Sequence, residues 1–244
     1  MNSSVEPSDQ AYGVPLFTEL PPVPRVHLAV HGRQQHAVSG YLSLCRHALS
    51  IDEPVVRGAA AAVFIYDEVK RQSIDAAIVA AYFRFAEKYW VLLRSATRPP
   101  VEFREQDLSL QSESIEELGH RGLWEVPAGL IDKSLVGSEE PRVAARRELY
   151  EETGFELEVE ELMSLGAAGY PCPGVIAEKQ YFFSARIDEK HERKIMPLDG
   201  SPLESVGEVI ALPLKQALLA IEAGLLQDLK SEVALTRLAR FLGV

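Results

Sequence analysis

This chain is poor in the features that mark several large protein classes. It has only two cysteines, Cys45 and Cys172. They lie far apart and without metal-ligand spacing, which excludes a disulfide framework or zinc site and leaves ordinary reduced thiols. No uninterrupted apolar stretch is long enough to span a bilayer. Met1 to Leu20 also lacks a positive n-region and an apolar h-region, so a cytoplasmic protein with no membrane partner is expected. Positive charge is in deficit too, with 25 Lys and Arg against 36 Asp and Glu and a formal net charge of −11. A duplex nucleic-acid binder needs a basic footprint to release counterions, so no nucleic-acid partner is expected. An anionic small substrate remains open, because bound cations can neutralise it locally.

At 244 residues the chain can bury one good core with a smaller appendage. Residues 1–24 are polar and then proline-rich at Pro21, Pro22 and Pro24, and read as a flexible tail that orders only if something packs on it. Residues 25–72 hold three short β-rich segments, Arg25 to His31, Tyr41 to Leu49 and Ala61 to Val69, which read as a small antiparallel sheet. From residue 73 the main domain opens with a strand pair, Asp75 to Phe85 and Tyr89 to Ser95. Trp124 to Pro127 reads as a further strand, and strand patterns resume at Leu157 to Val159, Met163 to Ala168 and Gln180 to Ile187. Helices are expected from about Leu214 to Ala223, stopping at Gly224, and from Ser231 to Leu242. Strands on either side of a central helix imply a mixed α/β/α sandwich.

That central helix carries the chemistry. Glu148, Glu151 and Glu152 lie one turn apart and are all negative, although like charges at this spacing repel. A solvated acidic face would alternate in sign, so something positive should sit between them. A hard divalent cation fits, since Mg²⁺ prefers oxygen ligands and completes its shell with water and phosphate oxygens. Ser138 is a candidate N-cap, Glu139 and Glu140 suit a first turn, Pro141 is tolerated there, and Gly154 stops the helix.

The run Arg147-Glu148-Leu149-Tyr150-Glu151-Glu152-Thr153-Gly154-Phe155, preceded by Glu139 and Gly129, resembles the Nudix box. Seven residues separate Glu139 from Arg147, as in the family pattern, whereas nine rather than five separate Gly129 from Glu139. The surplus falls in a loop, where insertion costs little. The resemblance implies that Glu148 and Glu152 are the main metal ligands, and that Glu151 ligates metal or positions water. It also implies that Arg147 orients the glutamates, that Glu139 pairs with Arg147, and that the Ala128 carbonyl joins the ligand set. The implied cofactor is Mg²⁺, with Mn²⁺ as a substitute.

Other segments are similar to the ADP-ribose pyrophosphatase branch of the family. Leu123-Trp124-Glu125-Val126-Pro127-Ala128-Gly129 resembles the branch's entry to the box, and Arg98-Pro99-Pro100 its substrate-contacting Arg-Pro segment. Cys172-Pro173-Gly174-Val175-Ile176-Ala177-Glu178 resembles its Ser-Pro-Gly-x-x-x-Glu loop. Pro171 meets the branch spacing, but Pro173 carries the surrounding motif and is the better counterpart. The branch implies substrate contacts at Arg98, Glu125 and Pro173, and action near the metals by Glu178. A general base would come from a late loop, with Glu204 and Glu208 as candidates. It also implies a homodimer built through the N-terminal sheet. Trp124, Tyr170 and Phe182 are candidates for stacking on a base, although core packing is the commoner fate of such rings.

The expected activity is hydrolysis of the pyrophosphate of ADP-ribose or a related nucleoside diphosphate sugar, giving a nucleoside monophosphate and a sugar phosphate. One alternative is a Nudix enzyme for another nucleoside diphosphate derivative. The other is a non-catalytic module that senses ADP-ribose.

Overall fold

The structure is a computed structural model describing residues 9–22, 41–49, 63–101, 122–132, 139–194 and 207–244. Its first elements are β1 (Asp9–Ala11) and β2 (Val14–Leu16), then the hairpin β3 (Ser43–Leu49) and β4 (Phe64–Lys70). The long pair β5 (Ala76–Phe85) and β6 (Lys88–Ala96) follows, then β7 (Leu123–Glu125) and β8 (Ala128–Leu130). Helix α1 (Pro141–Thr153) leads to β9 (Leu162–Ser164), β10 (Gln180–Arg186) and β11 (Val209–Pro213), and the described chain ends in α2 (Leu214–Glu222) and α3 (Leu229–Leu242).

The large sheet runs β1-β2-β11-β6-β5-β10-β9, with β7 pairing β6 and β8 pairing β5. It is mixed, since β10 lies parallel to β5 and β11 parallel to β2 while the other pairs are antiparallel. Strand β5 is apolar along most of its length because both of its faces are covered. Ala77, Val79, Ala81 and Phe83 pack with Ala144, Ala145 and Leu149 of α1. On the other face Ile78, Ala80 and Tyr82 pack with Leu214 and Ala217 of α2 and with Leu235 and Leu238 of α3. The period-two alternation of one strand thus holds both layers of an α/β/α sandwich.

Four details differ from the sequence reading. Residues 9–17, expected within a tail, form a hairpin on the sheet edge: Ala11, Val14, Leu16 and Phe17 are buried, and Ala211 pairs with Leu16. The Pro21 carbonyl also accepts a 2.8 Å hydrogen bond from the Trp124 indole. The single strand expected at Trp124 to Pro127 is two short strands, because the chain crosses at Val126 and Pro127 from β6 to its neighbour β5. Leu157 to Val159 is not a strand; Leu157 sinks into the core and a 3-10 turn follows at Val159–Glu161. Finally, the N-cap of α1 is Glu140, with Pro141 setting the first turn, whereas the candidate cap Ser138 lies outside the described residues. Arg25 to His31 also lies outside them.

The helix end follows the expected pattern. Gly154 takes a left-handed φ of 81°, and its N–H bonds the Tyr150 carbonyl. Any side chain there would also strike the Lys194 carbonyl oxygen, which lies 2.3 Å from the point a Cβ would occupy. Among the described residues, no helix is long and apolar enough to cross a membrane.

Candidate active site

Helix α1 lies along β8, and its carboxylates face a cleft of about 1670 Å³. Arg147 is the hub of this side. Its Nε and Nη2 grip Glu139 as a fork at 3.0 Å each, Nη2 also donates to the Leu130 carbonyl at 2.9 Å, and Nη1 reaches Glu148 at 2.7 Å and Glu151 at 2.9 Å. Burial works to raise Glu139, but the Arg147 fork and the Asp132 N–H outweigh it and hold the carboxyl below its ordinary range.

Glu148 is placed differently. Its carboxylate lies over Gly129 so closely that a Cβ built there would sit 2.1 Å from it, which leaves glycine as the residue that fits. Burial pushes the Glu148 carboxyl up to about 8; Glu152 and Glu151 add to the rise, and Arg147 offsets only part of it. Glu152 is held from two strands, accepting from Arg94 Nη1 at 2.6 Å and from the Ala128 N–H at 2.8 Å. Burial raises its carboxyl also, against the pull of Arg94 and the Ala128 N–H.

Among the described residues, no three Asp, Glu, His or Cys side chains already converge as a coordination set. The acidic side chains are turned to Arg147 and Arg94 instead. The donor chemistry nevertheless fits a hard divalent cation: three glutamates on adjacent turns, oxygen donors only, and a buried carboxyl whose charge the neighbouring arginine does not fully balance.

Of the other expected residues, Arg98 and Glu178 line the same cleft. Arg98 and Glu125 are joined to each other by a fork at 2.8 and 2.6 Å, and Lys230 of α3 also bonds Glu125. Burial works to raise Glu125, but Arg98 and Lys230 hold it below its ordinary range. With both oxygens engaged, Glu125 orients two cations, whereas Arg98 remains half exposed to the cleft. Glu178 lines the cleft as well, its oxygens taken by Arg71 at 2.6 Å and Gln180 at 2.8 Å. Pro171 and Tyr170 form part of the wall, while Pro173 is exposed in the following turn, where Gly174 accepts from the Tyr66 hydroxyl. Glu204 lies outside the described residues; Glu208 is tied to Ser95 at the start of β11.

Of the three candidate rings, Trp124 is buried in the core and Phe182 lies beneath the Arg237 guanidinium, 4.6 Å from its centroid. Tyr170 presents an exposed ring to the cleft. Sequence reasoning missed Arg94, Arg71 and Lys230. A signal existed for Arg94, a single cation after the apolar run Trp90 to Leu93, but its partner lies 58 positions away.

Two curated relatives are GDP-mannose pyrophosphatases, from Salmonella typhimurium at 33% identity and from Citrobacter koseri at 35%, each over 117 residues that cover 48% of this chain and 55% of the relative. The chain thus spans about half the length of the curated relatives it matches. A crystal structure described as an ADP compounds hydrolase superposes with a TM-score of 0.57 at 14% identity, over 93% of this chain and 97% of the other, and so shares the fold. The model of the NUDIX domain matches residues 95–228, more than half of the chain and all of α1, and on that ground the chain belongs to the Nudix family.

Proposed function

We propose that this chain is a metal-dependent hydrolase that cleaves the pyrophosphate bond of a nucleoside diphosphate sugar. The observation that carries the reading is the pair of under-compensated carboxyls of Glu148 and Glu152, with Glu151 beside them, on the floor of a cleft roomy enough for a nucleotide sugar. Those glutamates and the Ala128 carbonyl would hold Mg²⁺, or Mn²⁺ in its place. When bound, such an ion supplies positive charge at the phosphoryl oxygens and lowers the pKa of a water.

The chain's own groups do the rest. Arg147 keeps Glu148 and Glu151 aligned, and Arg98, itself aimed by Glu125, meets the diphosphate with a planar guanidinium. Tyr170 offers its open face to the base. A water oxygen adds to one phosphorus as the bridging P–O bond breaks, so that a nucleoside monophosphate and a sugar phosphate leave, and the water's proton passes to a carboxylate. Glu151, Glu178, Glu204 and Glu208 are the candidates for that acceptor.

The branch resemblance favours ADP-ribose as substrate, and the curated relatives add GDP-mannose. The test incubates the purified chain with ADP-ribose, GDP-mannose, a UDP-linked sugar and a dinucleotide, each with Mg²⁺, Mn²⁺ or EDTA, and separates the products. Metal-dependent release of a nucleoside monophosphate and a sugar phosphate is expected. If every substrate stays intact with both metals, the reading fails.

A homodimer through the β3–β4 hairpin belongs to the same proposal. Leu44, Phe64, Ile65 and Tyr66 are exposed on a two-stranded sheet, an arrangement that is marginal in water by itself. Sedimentation at micromolar concentration should find two copies, and Ile65→Lys should yield one.

A further inference from the structure

Arg94 belongs to no part of the carboxylate motif and lies just before the span matched to the family. It is 7% exposed and directly follows the apolar run Trp90 to Leu93 of β6. Its Nη1 donates to one oxygen of Glu152 at 2.6 Å, while the Ala128 N–H takes the other at 2.8 Å. The direction of this carboxylate is therefore set from β6 and β8, outside the helix that bears it.

The guanidinium is in turn bounded by Gly207. A Cβ placed on Gly207 would lie 2.7 Å from Arg94 Nε and 2.8 Å from the Ser95 carbonyl oxygen, closer than real Cβ atoms approach their neighbours, and 3.1 Å from Arg94 Cζ. The glycine has little room to retreat. Next to it, Glu208 accepts from the Ser95 N–H at 2.8 Å and donates its own N–H to the Ser95 hydroxyl at 2.8 Å. Gly207, Arg94 and Glu152 form a line of close contacts from the entry of β11 to the last glutamate of the cluster.

We propose that Arg94 is a positioning residue that aims Glu152, and that Gly207 acts on Glu152 through Arg94. The proposal rests on the metal-binding role given to Glu152 above. Arg94→Lys keeps the charge but loses the planar fork. Gly207→Ala keeps the arginine and pushes it with a methyl group.

The test titrates Mn²⁺ calorimetrically into the wild-type chain, each single variant and the double variant, with thermal melting in EDTA as a fold control. Partners that orient metal ligands are worth about 10–100-fold in metal affinity, and each single variant should lose affinity within that range. The double variant should bind no more weakly than the worse single variant, because both act on one carboxylate. With a nucleotide sugar, kcat should fall while KM stays near the wild-type value. Wild-type Mn²⁺ affinity in Arg94→Lys, or losses that multiply in the double variant, would overturn the proposal. Should Arg94→Lys fail to fold, Gly207→Ala decides alone, and wild-type affinity there overturns the link. A wild-type chain that binds Mn²⁺ but hydrolyses nothing defeats the hydrolase reading and leaves this titration valid. One that takes up no Mn²⁺ defeats both.

Discussion

Glu139, just before α1, and Glu148, within it, carry the same side chain in opposite electrostatic states. Glu139 is buried against a full guanidinium fork and a backbone N–H, and its carboxyl is held below its ordinary range. Glu148 shares the same arginine through one contact, faces two other carboxylates, and is pushed up to about 8 chiefly by burial. A carboxylate whose charge its partners balance is structural. One whose partners are too few is ready for an added cation, and the two roles are separable by mutation.

The largest separation should come from Glu148→Gln. Losing the under-compensated carboxylate should lower turnover by at least about 100-fold, measured as nucleoside monophosphate release. The same change should help the metal-free protein. Because the folded carboxyl titrates at about 8 against an ordinary 4.5, its contribution to stability is fully present below 4.5 and is lost as pH rises through 8. In EDTA, melting temperatures of wild type and variant should therefore diverge as pH rises from 5 to 9, with the variant the more stable. Equal curves would mean that Glu148 is compensated after all. Gly129→Ala comes next: its methyl would occupy the place of the Glu148 carboxylate, which must swing away. A displacement of that kind costs on the order of 100-fold in rate, and the fold should survive because a side-chain end gives way rather than backbone.

At the compensated carboxylate the cost should appear in stability. Glu139→Gln leaves Arg147 without its fork, and since Arg147 is about a third exposed the loss is set below that of a fully buried pair, at about 2–3 kcal/mol. Melting should fall by about 5–10 °C. The sign with pH is opposite to that of Glu148. A carboxyl held low contributes stability above its ordinary range and loses it as pH falls, so the gap between wild type and Glu139→Gln should close in acid.

What was legible in the sequence divides along the same line. The helix, its glycine stop and the spacing of its glutamates are local, so 3.6-residue periodicity and turn chemistry were sufficient to place them. The contacts that distinguish one glutamate from another are not local. Arg94 reaches Glu152 across 58 positions, Lys230 reaches Glu125 across 105, and Leu16 pairs with Ala211 at the far end of the sheet. No spacing rule encodes such pairings, which explains why residues 9–17 read as a tail and why Arg94 passed unnoticed. The start of α1 failed for a smaller reason: serine is a strong capping residue, but Pro141 fixes the first turn and leaves Glu140 as cap.

The smallest effect should come from a pair complete in geometry but open to water. Glu161 accepts from Lys190 and from the Glu158 N–H, with His191 beside it, and the Lys190 bond leads in pulling its carboxyl to about 2. Taken alone, that depression would suggest a strong anchor. Lys190, however, is 63% exposed, so solvent screens the pair and mobile salt competes with it. Lys190→Met should therefore shift melting by no more than about 3 °C at neutral pH. The difference should shrink as pH falls from 4.5 toward 2, where Glu161 takes up its proton in both proteins, and should shrink again in 1 M salt. A loss as large as that of Glu139→Gln would show that the number of partners outweighs their burial, and the contrast drawn along α1 would then need a different cause.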